Sequence, residues 1–168
     1  MDRITIRDYQ DADSIAVGVL IADTYSEFNL DFASAEERKK LLGPYHYARS
    51  TDPEHRRTIV RVIQSPMCYV AEVDGEIAGV LRGRRERLRS LFVHKDYHQQ
   101  GVGRKLVEYF EGESARLGVS VIRVASSLYA IPFYLRMGYK KTTGIRAGWS
   151  FEGSGLQYQP MKKVLAVG

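Results

Sequence analysis

The chain has 168 residues, 44% hydrophobic and 27% charged, proportions that suit one globular domain with a full core and exclude a disordered chain or two full-sized domains. Its net charge is +5 and its pI about 9.3, a balance that favours anionic partners or serves solubility alone. No apolar run approaches the roughly 20 residues that span a bilayer, the Met1–Ile4 start lacks a signal-peptide layout, and the single cysteine excludes an internal disulfide, so the expectation is a cytoplasmic protein without membrane contact or a metal.

Ile4–Arg7 alternates like a short strand. Asp11–Ser14 offers helix N-caps ahead of Ile15, Val19 and Ala22. Ala33–Leu42 is rich in helix formers and stops at Gly43-Pro44. A further amphipathic helix is expected over Asp52–Gln64. Cys68–Val73 and Glu76–Leu81 read as strands joined by Asp74-Gly75, the preferred tight hairpin dipeptide. Arg84–Glu86 makes a turn, and Leu88–Val93 a third strand. From Gly101 the period becomes helical, with Val102, Leu106, Tyr109 or Phe110, and Leu117 on one face and Gly118 as the stop. Val119–Ala125 is apolar on both faces, as a buried central strand would be. A short helix ends at Met137-Gly138. Tyr139–Thr143 and Leu156–Val164 read as closing strands, and Gly144–Gly155, with four glycines, as a mobile loop. No domain boundary interrupts 1–168. The order implies an α+β or mixed α/β domain with one central sheet.

The most informative segment runs from Leu91 to Leu106: strand, short loop, two glycines, helix. A helix N-terminus carries unpaired N–H donors and partial positive charge, and phosphate oxygens satisfy both. Gly101 and Gly103 let a ligand approach the backbone, and Arg104 and Lys105 add charge. The same glycines also fit a helix that simply starts tightly against a sheet. A Walker loop is excluded by spacing, and Leu106 stands where a dinucleotide fingerprint needs its third glycine.

Two segments resemble the GNAT acyltransferase superfamily. Leu91-Phe92-Val93 followed by His98-Gln99-Gln100-Gly101-Val102-Gly103 is similar to its cofactor motif. Ser127-Leu128-Tyr129-Ala130 through Phe133-Tyr134 to Gly138-Tyr139 is similar to its later Asn-x-x-Ala…Phe-Tyr-x-x-x-Gly-Phe segment. His98 departs from the usual Gln or Arg, and Ser127 from the usual Asn.

The resemblance implies a mixed, mostly antiparallel sheet flanked by helices, splayed where the cofactor enters. It implies transfer of an acetyl group from acetyl-CoA to a primary amine, a small molecule ahead of a protein, with no metal. The amides of Gln99, Gln100, Gly101, Val102, Gly103 and Arg104 would hold the pyrophosphate. The backbone of Leu91, Phe92 and Val93 would pair with the pantetheine arm, the Val93 N–H would polarise the thioester carbonyl, and Ser127 would add a hydrogen bond. Tyr134 is the candidate acid for the leaving thiolate; by periodicity alone it is a core tyrosine. The base stays open between Glu86 and water relayed to Glu27, Asp31 or Glu72. Homodimerisation, common among relatives, also stays open.

Other residues carry blander expectations. Cys68 reads as a core thiol, His94 as a solvated loop histidine, and Arg82, Arg84, Arg85, Arg87 and Arg89 as a solvated hairpin end. That arginine group lacks the aromatics of a nucleic-acid surface. Tyr25, Phe28, Tyr45, His46, Tyr47, Trp149 and Phe151 could wall an acceptor pocket or fill the core. The rival functions are a non-catalytic acyl-CoA sensor and a basic adaptor with an accidental cradle.

Overall fold

Asp74 and Gly75 turn the chain with φ of 51° and 83°, the left-handed pair that a two-residue hairpin needs. They join β2 (Met67–Val73) to β3 (Glu76–Arg84), and a second turn adds β4 (Arg87–Val93). Around this meander the computed structural model, which describes residues 3–166, builds one sheet of eight strands. The others are β1 (Ile4–Asp8), β5 (Val121–Ser127), β6 (Lys140–Lys141), β7 (Arg146–Ser150) and β8 (Gly153–Val164). Their order is β1-β2-β3-β4-β5-β8-β6, with β7 paired to β8. Among the described residues only β4 and β5 run parallel; every other pair is antiparallel.

Strand alternation sends side chains to two cores. Val70 and Val80 point to α1 (Ser14–Phe28), α2 (Ala35–Leu42) and α3 (Pro53–Ile63). Ala71 and Leu81 point to α4 (Val102–Arg116) and α5 (Ile131–Arg136). Local chemistry starts the helices where the sequence implies: Ser34 Oγ accepts from the Glu37 N–H at 3.2 Å, and an Asp52 carboxylate oxygen accepts from the Glu54 N–H at 2.8 Å, with Pro53 in the first turn.

Four expectations are corrected. On α4 the inward stripe is Val102, Leu106, Val107, Phe110 and Ser114, while Tyr109 and Leu117 are exposed; Leu117 sits at the C-cap, where the helix has already ended. On β5 only Ile122, Val124 and Ser126 are buried, and Arg123 and Ala125 face solvent, so this strand is covered on one side only. The closing strand at Tyr139–Thr143 shrinks to Lys140–Lys141. Tyr139 turns inward instead, its hydroxyl donating to Glu111 at 2.9 Å, and Lys163 donates to the other oxygen of that carboxylate at 2.9 Å.

The glycine-rich 144–155 segment is a hairpin arm, β7 and the start of β8, rather than a loop. Two glycines seat it against α2. A Cβ on Gly153 would lie 2.4 Å from Leu41, and one on Gly43 would lie 2.4 Å from the Phe151 ring. These glycines are small because the hairpin and α2 pack backbone-close.

Candidate active site

The pairing of β4 with β5 covers only Arg87↔Arg123 and Leu88↔Val124. Beyond it the strands diverge, leaving Leu91–Val93 and Ser126–Ser127 on the two sides of a gap. Hydrogen-bond alternation decides what faces that gap. The His94 N–H donates to the Ala78 carbonyl on β3 at 2.8 Å, so the Val93 N–H, one residue earlier, turns away from β3 and towards β5. A strand-like ligand in the gap would meet an open ladder edge on β4.

The cradle stands at the mouth of this gap. Gln99 has φ 61° and Gly101 φ 88°, with Gln100 between them outside the left-handed region. Alternation of this kind turns successive N–H groups to one concave side, an anion-binding geometry. The N–H groups of Gln99, Gln100 and Gly101 reach no acceptor among the described residues. Those of Val102, Gly103 and Arg104 precede the first intrahelical bond, from the Lys105 N–H to the Gly101 carbonyl at 3.0 Å. Val102 is buried and contributes backbone alone. Gln100 Nε2 donates back to the Asp96 carbonyl at 2.9 Å, and Arg104 lies exposed, 3.6 Å from Glu108.

Gly103 brings the parts together. A Cβ built there would lie 3.2 Å from the Phe133 ring and 3.6 Å from Val93 Cγ2. The cradle helix, the end of β4 and α5 therefore meet at one point, and Phe133 precedes Tyr134. The Tyr134 ring is 4% exposed, in edge contact with Phe133 and Tyr139 at 5.1 and 5.4 Å. Burial pushes its hydroxyl well above the ordinary tyrosine value of 10.0. Ser127 Oγ accepts from the Ala130 N–H at 3.3 Å, holding the turn into α5, and makes no donor contact among the described residues.

Other sequence candidates fall elsewhere. Glu72 is tied to Arg7 at 2.8 Å, two strands from β4. Glu86 is an exposed turn residue with no ion pair among the described residues. Cys68 is half-buried on β2, and burial pushes its thiol up to about 11, which disfavours the thiolate. His94 Nδ1 accepts from the Asp96 N–H at 3.1 Å, capping the following turn. Glu27 and Asp31 line a cleft beside His94.

The arginines do more than face solvent. Arg82 donates to the Val62 and Ile63 carbonyls, both at 2.7 Å, and Arg85 to the Leu117 carbonyl. Each ties off a helix C-terminus. The aromatic set scatters as well. Tyr45 is buried near Phe151, Tyr47 stacks on His55, and Trp149 is 80% exposed. Tyr25 lies 5.7 Å from Phe92 at the end of β4, and Phe28 lies 4.9 Å from His98 in the loop beyond it. The Tyr129 ring lies 5.0 Å from Phe28, and nothing in its spacing along the chain marks it.

A family model described as the acetyltransferase (GNAT) domain matches residues 33–165. The chain belongs to the GNAT acetyltransferase family. Solved GNAT structures share the fold across their whole length. A GCN5-related N-acetyltransferase from Rhodopseudomonas palustris aligns with TM-score 0.78 and 20% identity, over 98% of each chain. The PaiA N-acetyltransferase from Thermoplasma acidophilum, solved with coenzyme A, aligns with TM-score 0.71 and 16% identity over 97% of this chain and 99% of that one. YncA from Salmonella typhimurium, solved with acetyl-CoA, aligns with TM-score 0.61 and 20% identity over 99% and 96%. The GNAT resemblance and the mixed, mostly antiparallel sheet flanked by helices expected from sequence are both borne out.

Proposed function

We propose that this GNAT protein moves an acetyl group from acetyl-CoA to the primary amine of a small molecule by direct attack on the thioester. The observation that carries this reading is the gap after Leu88↔Val124, which opens onto the donor-rich cradle at Gln99–Arg104. Two GNAT neighbours of the same fold were solved with coenzyme A and acetyl-CoA.

The residues fit such a ligand. The Gln99–Arg104 amides would hold the pyrophosphate, and Leu91–Val93 would pair with the pantetheine amides. The Val93 N–H would donate to the thioester carbonyl oxygen as it gains negative charge, an effect of about 3 kcal/mol for one preorganised donor. The nitrogen of the neutral amine bonds to the carbonyl carbon, the carbon–sulfur bond breaks, and the proton the nitrogen sheds passes through water to the departing thiolate, leaving the amide and the coenzyme A thiol. Tyr134 would face the departing sulfur as a hydroxyl that burial keeps protonated. A thiolate titrates near 8–9, so full proton transfer from so weak an acid is uphill. Its contribution is a hydrogen bond to the sulfur as charge collects there.

Isothermal titration with acetyl-CoA tests the donor half. Absence of binding at millimolar concentration would overturn the proposal. Thiol release across an amine panel tests the rest: turnover supports catalysis, while tight binding without turnover of any amine would make the protein an acyl-CoA sensor instead.

A further inference from the structure

We propose that the acceptor is a small zwitterionic amine, one bearing a carboxylate beside its amino group, held in the cleft between α1, α2 and the end of β4. This rests on the acyl-transfer reading above and names its second substrate.

The cleft is open to solvent and has a volume of about 520 Å³, within the range of small-molecule sites. Its walls come from the last turns of α1, the start of α2, and His94-Lys95 directly after Val93. It lies on the α1 face of the sheet, while the cradle helix α4 lies on the other. A ligand here approaches the end of β4 from the side opposite the cradle.

Its charges are of both signs and do not neutralise one another. Glu27 and Asp31 supply carboxylates, and Arg38 and Lys95 supply cations. None of these four enters an ion pair among the described residues. Asp23 also lines the cleft, but Arg49 already holds both its oxygens, at 2.8 and 2.7 Å. Arg38 is the informative member. One of its terminal nitrogens donates to the Ala33 carbonyl at 3.2 Å, which holds the guanidinium in the wall. Its Nε is buried and has no partner among the described residues, a state that costs stability until an acceptor arrives.

A guanidinium fork is shaped for a carboxylate, and free carboxylates suit an ammonium group. A simple alkylamine would satisfy Glu27 and Asp31 and leave Arg38 unanswered. An anion alone would do the reverse. A molecule with both groups answers both sides, and its amino group is the nucleophile that acetyl transfer requires.

The test pairs each standard L-amino acid with its decarboxylated amine. Both are titrated calorimetrically into wild-type protein saturated with coenzyme A, then assayed for thiol release with acetyl-CoA. The expectation is at least one amino acid that binds roughly tenfold or more tightly than its amine. Arg38→Met should erase that preference and leave acetyl-CoA affinity unchanged, while Arg38→Lys should keep part of it. Amines that bind as well as their amino acids, or a preference that survives Arg38→Met, would overturn the inference. So would the absence of any amino-acid binding. If acetyl-CoA binds and only carboxylate-free amines are acetylated, the acceptor assignment falls and acyl transfer stands. If acetyl-CoA does not bind, acyl transfer falls, and this acceptor falls with it.

Discussion

The His98 ring donates from Nε2 to the carbonyl oxygen of Val93 at 2.8 Å. A carbonyl only accepts, so Nε2 carries the proton and the tautomer is set. The bond ties the loop before the cradle to the strand residue whose N–H faces the gap. His98 stands where the family usually has Gln or Arg, and here it holds the end of β4 in register with the cradle. Phe28 and Tyr129 flank the same ring.

Removing that tie should loosen the cofactor site. His98→Ala is expected to weaken acetyl-CoA binding by roughly three- to tenfold, the value of one hydrogen bond. His98→Gln, which keeps a side-chain N–H donor, should recover most of the loss. Calorimetric titration of both variants checks this.

Tyr134→Phe should lower kcat about ten- to a hundredfold, from loss of one hydrogen bond to a charged group, and change acetyl-CoA affinity far less. Equal losses in the two would tell against a role in the chemical step. Burial raises the Tyr134 value above 10.0, so the hydroxyl stays protonated through that pH. The kcat profile should therefore show no alkaline fall up to pH about 10, the upper end of a pH–rate series.

The cradle glycines should fail in different ways. Gly101 has φ 88° and open space at its Cβ position, so Gly101→Ala adds backbone strain of about 1–2 kcal/mol without a clash. Gly103→Val would drive Phe133 away and should lower both acetyl-CoA affinity and the melting temperature. Thermal melts beside titrations separate the two effects.

Gly153→Ala places a methyl group 2.4 Å from Leu41 Cγ and 2.7 Å from its backbone nitrogen. Backbone cannot yield as a side-chain tip does. A loss of about 2 kcal/mol is expected, read as a melting temperature lower by roughly 4–8 °C.

Asp13 receives two hydrogen bonds from Arg7, at 2.8 and 2.9 Å, clipping β1 to the start of α1. The guanidinium holds its carboxyl below the ordinary value of 3.8. A depressed carboxylate contributes stability above its unfolded value and loses it as pH falls through the folded one. Asp13→Asn should therefore cost about 1 kcal/mol near neutral pH, and the gap to wild type should close below pH about 4. Denaturant unfolding at a series of pH values reads this out.

Sequence alone determined the meander and the helix start after Gly101, because both rest on short-range chemistry. Asp74-Gly75 dictates a left-handed turn, and Gly101 and Gly103 mark a helix start where backbone donors stay free. The two GNAT segments were legible for the same reason, each being one continuous stretch. What depends on distant partners was not. The 144–155 glycines read as mobility, because only the packed fold shows Leu41 and Phe151 occupying the space their side chains would need. Tyr134 read by periodicity as a core tyrosine, but what surrounds its hydroxyl is set by α4, α5 and the sheet together. Arg38, Glu27 and Lys95 lie on three elements, and no spacing along the chain announces that they share a cleft. The turn at Gln99–Arg104 belonged to the sequence; the gap beside it, and the charged cleft on the opposite face, exist only where the strands diverge and the helices close over them.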